Sequence, residues 1–382
     1  MRITFQFNYY VLAKILFVFG LINSIFYQPA SAQPLEWQTA NAKTIGWDSD
    51  KLAQISEKVN SNEFQKLTSV LIAHKGKLVH EQYFNNGHVD YMNDLRSATK
   101  SITSLMVGLA LEHGHIKSVE QKAFSLIADK QEFEAMHPLK QAITIQDLLS
   151  MSSILGCNDD TPYSLGNEER MYISYDWVEF VKNIPLRGFA PWEKRPEESP
   201  FNRAFSYCTA GSFLLGAIVE KTSGLKMDAY AKKYLDKPLG IESVKWNYSN
   251  HGITSGAGGT RYKSRDFLKF GELYRQGGQW NGQQVINQKW VEESVKSRVD
   301  VRENVEYGYF WWKFAYEVDG KKYWSYAASG NGGNYLFVQP ELELVTLITS
   351  ELYNSRQGHQ QSQSIYSDFV LAAHPKHNNS KK

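Results

Sequence analysis

A serine and a lysine three positions apart, Ser97 and Lys100, are the residues of this chain best placed to do chemistry. In the segment that follows, residues 102–110 carry apolar side chains three and four apart, which predicts a helix with one buried face. Ser97 then lies in its first turn, and Lys100 lies one turn later on the same side. Free N–H groups and the positive end of a helix stabilise an oxyanion and disfavour a protonated lysine. Ser97 could therefore act as a nucleophile with Lys100 as its base.

Two alternatives to this interpretation follow from the same residues. The Ser-x-x-Lys spacing occurs again at Ser223 to Lys226, where Gly224 indicates the end of a helix and no nucleophile is expected. Ser97 could also be an ordinary N-cap that accepts a hydrogen bond from the first helical turn. On this segment alone, the catalytic and the capping interpretations of Ser97 both stay open.

The first 32 residues have the composition of an export signal. Arg2 gives a positive start, residues 15–27 form an apolar core, and residues 30–32 form a small-residue site with cleavage expected after Ala32. The apolar core is short for a membrane span, and an uncleaved anchor is the alternative. We therefore expect a periplasmic or secreted protein that keeps no membrane span once the signal is removed.

Basic and acidic residues balance in this chain. The full sequence has 42 Lys and Arg against 40 Asp and Glu. The segment 1–32 contains Arg2 and Lys14 and no acidic residue, so removing it leaves equal numbers of both signs. A balanced charge without a basic block argues against nucleic acid as a partner.

The elements that must position Ser97 and Lys100 come from both ends of the chain. Strand patterns occur early, at 69–74 and 78–84, and return late, at 322–328, 335–339 and 344–350. Strands at both ends around a helical middle predict an α/β fold in which the two ends of the chain build one lobe.

The middle of the chain, from about 117 to 235, is mainly helical and is expected to form the second lobe. A final amphipathic helix is predicted from about 361 to 373. We therefore assign one domain to residues 33–373 and expect the polar segment 374–382 to be a disordered tail.

Two further segments carry small polar groups beside a helix or a strand. Tyr207-Cys208-Thr209 comes just before a predicted helix, and Ser329-Gly330 lies in a glycine-rich stretch that permits close approach of a ligand. In this order and spacing, the three segments resemble the motifs of the serine β-lactamase and penicillin-binding protein superfamily. The resemblance is closer to class C β-lactamases and to related carboxylesterases, D-stereospecific peptidases and 6-aminohexanoate-dimer hydrolases. Segments that extend the resemblance through most of the chain are 144–153, 277–282 and 307–312.

The resemblance implies a fold and a reaction. The fold is β-lactamase-like, with an antiparallel sheet flanked by helices and a mainly helical lobe. Ser97 would attack an acyl carbonyl and form an acyl-enzyme. Lys100 and Tyr207 would share the roles of general base and proton shuttle, and the sequence does not assign which of them takes the proton.

The resemblance also implies how the substrate is held. The backbone N–H groups of Ser97 and Asn331 would form an oxyanion hole. Ser329 and Gly330 would lie on the strand that flanks the substrate, which we expect to be a small or peptide-like ester or amide.

Two positions depart from the pattern of the superfamily. The Asn of its Tyr-x-Asn motif is Thr209 here, so a hydroxyl takes the place of a substrate-binding carboxamide. The basic residue expected before Ser329 is Ala328, although in β-lactamases that cation helps to hold the substrate carboxylate. We therefore expect an esterase or amide hydrolase with a less charged acyl substrate, and we do not expect β-lactam turnover.

The two cysteines, Cys157 and Cys208, lie beside segments expected near the site. In an exported chain a disulfide between them would persist. It would close a loop of about 50 residues and contribute roughly 4 kcal/mol in the chain-entropy model. Two buried free thiols are the alternative.

Other candidate sites are weaker. The chain contains no Gly-x-Ser-x-Gly elbow, and neither His80 nor the pair His113 and His115 has the spacing of a zinc site, so we expect no metal and no cofactor. The aromatic residues of 307–312 either line the cleft or pack in the core, with Tyr309 or Trp312 the candidates for substrate contact. The segment 166–172 either borders the site or is a solvated loop.

Two rival functions of other classes remain. A penicillin-recognising protein could acylate Ser97 without turnover, because Thr209 and Ala328 alter the motifs. A catalytically silent scaffold could use the cleft to bind a protein or the cell wall.

Overall fold

The computed structural model describes residues 37–378. The predicted export signal at 1–32 lies outside the described residues, as do residues 379–382 of the predicted tail. Among the described residues, no helix is long and apolar enough to cross a membrane.

An eight-stranded sheet forms the centre of the fold, in the order β2-β1-β12-β11-β10-β9-β8-β7. Every pair of neighbouring strands in it is antiparallel. The first strand pairs with the last, so the two ends of the chain meet in one sheet, and the predicted α/β architecture is confirmed. The strands of this sheet are β1 Leu67–His74, β2 Lys77–Tyr83, β7 Val299–Arg302, β8 Val305–Tyr307, β9 Trp312–Val318, β10 Lys321–Gly330, β11 Asn334–Gln339 and β12 Leu344–Ser350.

Two small two-stranded sheets lie outside the central one. Their strands are β3 Met92–Asp94, which pairs with β4 Arg261–Lys263, and β5 Gln279–Trp280, which pairs with β6 Gln283–Gln284.

The α-helices of the described chain are α1 Ser49–Asn60, α2 Thr99–Glu112, α3 Phe124–Ile127, α4 Lys130–Ala135, α5 Pro138–Gln141, α6 Ile145–Leu149, α7 Glu168–Tyr172, α8 Trp177–Asn183, α9 Thr209–Ser223, α10 Met227–Ala231, α11 Ser264–Arg275, α12 Gln288–Val295, α13 Arg356–Ser364 and α14 Pro375–Asn378. Two of them continue into π-helical turns, α10 at Lys232–Asp236 and α13 at Ile365–Leu371. Helices α3 to α10 all fall in the segment that the sequence predicts to be helical.

Both faces of the sheet are covered. Along β1, Leu71 belongs to one apolar core and Val70 and Ile72 to another, as expected when alternate side chains point to opposite faces. One face packs on α1 and the end of the chain, and the other packs on α2, α11 and the helical segment. Helix α11 approaches so closely that a Cβ on Gly271 would lie 2.4 Å from Val345.

Helix α2 is buried on all sides, which corrects the prediction of a single buried face. Its residues Thr99 to Ala110 are all buried, because the helix runs between the sheet and the helical segment. Small polar side chains make this possible by bonding to neighbouring backbone. Ser101 Oγ donates to the Phe310 carbonyl at 2.7 Å, and Thr103 Oγ1 donates to the Gly256 carbonyl at 2.5 Å.

The prediction of a disordered tail from residue 374 is wrong for residues 374–378. His374 and His377 are buried, and the ring of His374 packs against Trp47 and His74 with centroids 5.2 and 4.8 Å apart. The polar composition of this segment concealed these ring contacts, which anchor it beside α1.

Candidate active site

Ser97 lies in a tight 3₁₀ turn, Arg96–Ala98, that leads directly into α2. Neither this turn nor α2 has a side-chain cap hydrogen bond, so the capping interpretation of Ser97 is not supported. Arg96 has a φ of 48°, a left-handed conformation that is uncommon for a residue with a side chain. The turn is held from outside, since Leu95 N–H donates to the Thr260 carbonyl at 3.0 Å.

The amine of Lys100 reaches Ser97, as the one-turn spacing predicts. Its Nζ donates to Ser97 Oγ at 3.0 Å and to the Ala257 carbonyl at 2.7 Å. Lys100 is only 1% exposed, and burial lowers its pKa, against the raising effect of Glu168 and Asp159. A neutral amine at this position can accept a proton from Ser97.

Tyr207 lies on the other side of Ser97, just before α9. Its phenol hydrogen-bonds with Ser97, and the Lys100 Nζ lies 5.1 Å from the centre of its ring. Burial raises its pKa well above the usual value, and Glu168, Asp159 and Asp160 raise it further. The structure therefore brings together the three residues that the sequence predicts to be catalytic.

The end of β10 approaches the nucleophile turn very closely. A Cβ at Gly330 would lie 2.1 Å from the Leu95 carbonyl oxygen and 3.1 Å from the Ala98 nitrogen, so only glycine fits there. Ser329, Gly330 and Asn331 all line the cleft beside Ser97, as predicted. The Asn331 side chain donates to Asn354 Oδ1 at 2.8 Å, and Asn354 also lines the cleft.

Neither of the two positions that depart from the superfamily pattern lines the cleft. Thr209 is fully buried and does not line the cleft, so the structure corrects its assignment as a substrate-binding residue. It is the first residue of α9, and its backbone N–H donates to Asp159 Oδ2 at 2.6 Å. Ala328 is also fully buried and packs into the core on the α2 side of the sheet.

A disulfide joins Cys157 and Cys208, the first of the two alternatives for these residues. It ties the segment after Cys157 to the segment before α9, where the Tyr207 carbonyl also accepts a hydrogen bond from the Asp159 N–H at 2.9 Å. Both carboxylate oxygens of Asp159 accept backbone hydrogen bonds, one from Thr209 and the other from Glu168 at 2.8 Å. The disulfide and these hydrogen bonds hold Asp159 beside Tyr207.

A cleft of about 630 Å³ opens in front of Ser97. Of the aromatic residues at 307–312, Trp312 lines it and stacks on Tyr207 with ring centroids 5.9 Å apart. Tyr307, Tyr309 and Trp311 are buried, so core packing is the correct interpretation for them. The remaining lining residues are Asp159, Asp160, Glu168, Arg302, Phe314, Tyr335, Asn354, Ser355, Arg356, His359, Gln360 and Gln363.

Sequence reasoning missed the acidic part of this site. Burial, with Glu168 as the next cause, raises the pKa of Asp159 to about 6, while Lys100 opposes the shift. Glu168 belongs to the segment 166–172, for which bordering the site was one of two alternatives, and it does line the cleft. The sequence feature that could have indicated Asp159 as a site residue is its position two residues after Cys157.

The segment Gly256–Thr260 supplies the Ala257 carbonyl to Lys100 and holds the Ser97 turn. Among residues 37–378, no group of three or more His, Cys, Asp and Glu side chains is arranged to hold a metal ion.

Comparison with known proteins agrees with the fold. The sequence profile of the Beta-lactamase family matches residues 67–364, most of the chain, and the protein belongs to this family. The 6-aminohexanoate-dimer hydrolase of Paenarthrobacter ureafaciens is 22% identical over 249 residues, which cover 59% of this chain and 56% of that protein. The match thus spans little more than half the length of this curated relative.

Solved structures show the same fold at low sequence identity. A Bacillus anthracis protein provisionally named a 6-aminohexanoate-dimer hydrolase superposes with a TM-score of 0.67 at 17% identity, over 89% of this chain and 88% of that one. A class C β-lactamase from Rhodobacter sphaeroides superposes with a TM-score of 0.59 at 15% identity, over 85% and 100%. Family and fold together place the protein in the serine β-lactamase superfamily.

Replacing Gly330 by alanine tests the approach of β10 to the nucleophile turn. In Gly330→Ala the new methyl group must push the strand end away from Leu95. We expect kcat/KM for a short-chain 4-nitrophenyl ester to fall roughly 100-fold, since displacements of about 1 Å can have that effect. Gly188→Ala, where no atom lies within 4 Å of the new Cβ, is the matched control. Full activity in a normally folded Gly330→Ala enzyme would contradict this account.

Proposed function

We propose that this protein cleaves an ester or amide bond through an acyl-enzyme formed on Ser97. The observation that supports the proposal is the position of Ser97 Oγ. It accepts a hydrogen bond from Lys100 Nζ at 3.0 Å and is hydrogen-bonded to the phenol of Tyr207. A serine hydroxyl between an amine and a phenol can lose its proton to one and keep contact with the other.

Lys100 is the general base in this proposal, and Tyr207 is the proton shuttle. Burial favours the neutral amine of Lys100, whereas burial and three carboxylates disfavour a phenolate at Tyr207. As Ser97 Oγ attacks the acyl carbon, its proton passes to Lys100 Nζ. The tetrahedral intermediate then expels the alcohol or amine, which takes a proton from Tyr207, and Tyr207 recovers one from Lys100.

Deacylation repeats these steps with water. Lys100 takes a proton from the water that attacks the acyl carbon, and Ser97 then leaves with a proton delivered by Tyr207. We assign the oxyanion hole to the backbone N–H groups of Ser97 and Asn331. The close approach at Gly330 supports this assignment, because it brings the end of β10 against the Ser97 turn.

The substrate class is an ester or amide, and β-lactam turnover is not part of the proposal. The name of the Paenarthrobacter ureafaciens relative describes an amide-cleaving enzyme, which supports this class. The buried Ala328 offers no cation to a substrate carboxylate.

We also propose that the protein is exported, with its signal removed after Ala32. The disulfide between Cys157 and Cys208 supports this location, because disulfides persist in oxidising compartments.

Covalent labelling tests the nucleophile. A fluorophosphonate probe should add to Ser97 in the intact protein, and Ser97→Ala should abolish both the labelling and the hydrolysis of short-chain esters. Ser101→Ala, another serine of the same helix turn, should keep the labelling. Intact-mass analysis and peptide mapping give the readout. Labelling that persists in Ser97→Ala would sink the proposal, and a stable penicillin adduct without ester turnover would favour a penicillin-binding protein instead.

The pH profile tests the assignment of the base. Lys100 must be neutral to accept a proton, so kcat/KM should rise with pH and level off at the Lys100 pKa, which burial holds below 10.5. Lys100→Arg should lose at least about 100-fold in kcat/KM, because a guanidinium stays protonated. A rate that falls as the pH rises from 6 to 9, with an active Lys100→Arg, would contradict the assignment.

The location is tested by fractionating cells that express the full sequence. The mature protein should appear outside the cytoplasm with Gln33 as its first residue. Ala32→Arg should block the cleavage and leave a longer protein. A cytoplasmic product that retains Met1 would contradict export.

A further inference from the structure

Four polar side chains meet at one edge of the cleft, beside the end of β10. Ser329 is the direct partner of Tyr335 in the register of β10 and β11, so their side chains lie on the same face of the sheet. The two hydroxyl groups are hydrogen-bonded to each other. Helix α13 adds His359 and Gln363, one turn apart, and all four residues line the cleft.

The Tyr335 hydroxyl is the centre of this group. His359 Nδ1 lies 2.9 Å from it, and Gln363 Nε2 donates to it at 3.1 Å. Burial raises the pKa of Tyr335, so the phenol keeps its proton. A phenol donates one hydrogen bond and accepts at most two. Because Gln363 takes one acceptor position, the phenol has one proton and one lone pair left for Ser329 and His359.

The protonation of His359 Nδ1 then decides in which direction Ser329 bonds. An unprotonated Nδ1 accepts the hydrogen bond of Tyr335, so Tyr335 must accept from Ser329, and the Ser329 oxygen presents only lone pairs to a substrate. A protonated Nδ1 donates to Tyr335, which in turn donates to Ser329 and leaves the Ser329 proton free for the substrate. The same hydroxyl is thus an acceptor in the first case and a donor in the second.

The chemistry of the two rings favours an unprotonated Nδ1. Burial lowers the pKa of His359 below its usual value of 6.5, so the imidazole is neutral at neutral pH. A phenol is a much stronger acid than a neutral imidazole, and an imidazole nitrogen is the stronger base. The hydrogen bond between them therefore forms with Tyr335 as the donor.

The charged groups around His359 come from both walls of the cleft. On its own side they are Arg302 of β7, which acts on Tyr335, and Arg356 of α13. The carboxylates that line the cleft lie on the Tyr207 side, where they act on the phenol, and are Asp159, Asp160 and Glu168.

We propose that His359, acting through Tyr335, holds the Ser329 hydroxyl as a hydrogen-bond acceptor, and that the substrate carries an N–H or O–H group that donates to it. The inference rests on the proposed function of Ser97, because the strand end that carries Ser329 packs against the Ser97 turn. His359 and Tyr335 are positioning residues, and Ser329 determines the specificity. A site that hydrogen-bonds a substrate group discriminates against the analogue that lacks this group.

Acidification should remove this preference. Below the pKa of His359 both ring nitrogens are protonated, Ser329 becomes a donor, and a substrate N–H group no longer finds an acceptor. The measured quantity is the ratio of kcat/KM for two substrates at the same pH. The titration of Lys100 affects both substrates alike and cancels in this ratio, so a change with pH reports on another group.

Two pairs of substrates test the proposal, each comparing an N–H group with an N-methyl group. On the acyl side the pair is the 4-nitrophenyl esters of N-acetylglycine and N-acetylsarcosine. On the leaving-group side the pair is S-butyryl-N-acetylcysteamine and S-butyryl-N-acetyl-N-methylcysteamine. In at least one pair we expect roughly tenfold preference for the N–H substrate at a pH of about 8, falling towards one at a pH of about 5. A purely steric effect of the methyl group would not change with pH.

Variants of α13 and β11 separate this role from a structural one. His359→Leu removes the acceptor and the titration, so the preference should fall and become independent of pH. Gln357→Leu is the matched control, since Gln357 lies on the same helix, is exposed and does not line the cleft. The control should keep the preference and its pH dependence. Tyr335→Phe breaks the connection to Ser329, should act like His359→Leu, and serves if that variant folds poorly.

Nitrogen-15 NMR of the histidine rings gives a readout that needs no substrate. His359 Nδ1 should have the chemical shift of an unprotonated nitrogen at a pH of about 8. A protonated Nδ1 at this pH would overturn the inference.

The outcomes separate this inference from the proposed function. Ser97-dependent hydrolysis without a preference for the N–H substrate in either pair would overturn the inference and leave the acyl-enzyme in place. A preference that does not change with pH, or that survives in both His359→Leu and Tyr335→Phe, would also overturn it. Absence of any Ser97-dependent hydrolysis and labelling would overturn both.

Discussion

The burial of the Lys100 amine is the constraint on which the rest of this site depends. An ammonium that is nearly inaccessible to water costs several kcal/mol unless charges or hydrogen bonds replace its hydration. Here the Ala257 carbonyl and Ser97 Oγ replace part of that hydration, and two carboxylates act from nearby. Desolvation is the largest contribution to the pKa of Lys100 and lowers it, which increases the fraction of neutral amine. A lysine that is neutral and already in contact with a serine is ready to take its proton.

Several elements of the fold must pack around the Lys100 amine to exclude water from it. The 3₁₀ turn before α2 supplies Ser97, and α2 supplies Lys100 from between the sheet and the helical segment, where its first three turns are buried. The segment before α9 supplies Tyr207, and the glycine at position 330 lets β10 close against the Ser97 turn. Because each contribution comes from a packed element or a segment anchored to one, the distances between them are fixed before a substrate arrives.

Local sequence patterns predicted the features that depend on residues close together in the chain. The strands at both ends and the placement of Lys100 one turn after Ser97 follow from spacings of a few residues. The acidic part of the site could not be predicted in this way, because a disulfide that spans 51 positions and backbone hydrogen bonds hold Asp159 beside Tyr207. The complete burial of α2 was missed for a related reason. Its serines and threonines look like an exposed face until their partners in distant loops are known.

Asp159 fixes the starts of two helices beside Tyr207. The backbone N–H groups that open α7 and α9 both bond to it, and a carboxylate satisfies them with one oxygen each. An amide has a single acceptor oxygen, so it could not bond to both groups in the same way. The carboxylate that fixes the start of α9 therefore also brings a negative charge beside Tyr207. That charge raises the energy of a phenolate and, together with burial, leaves Lys100 as the group that can accept the Ser97 proton.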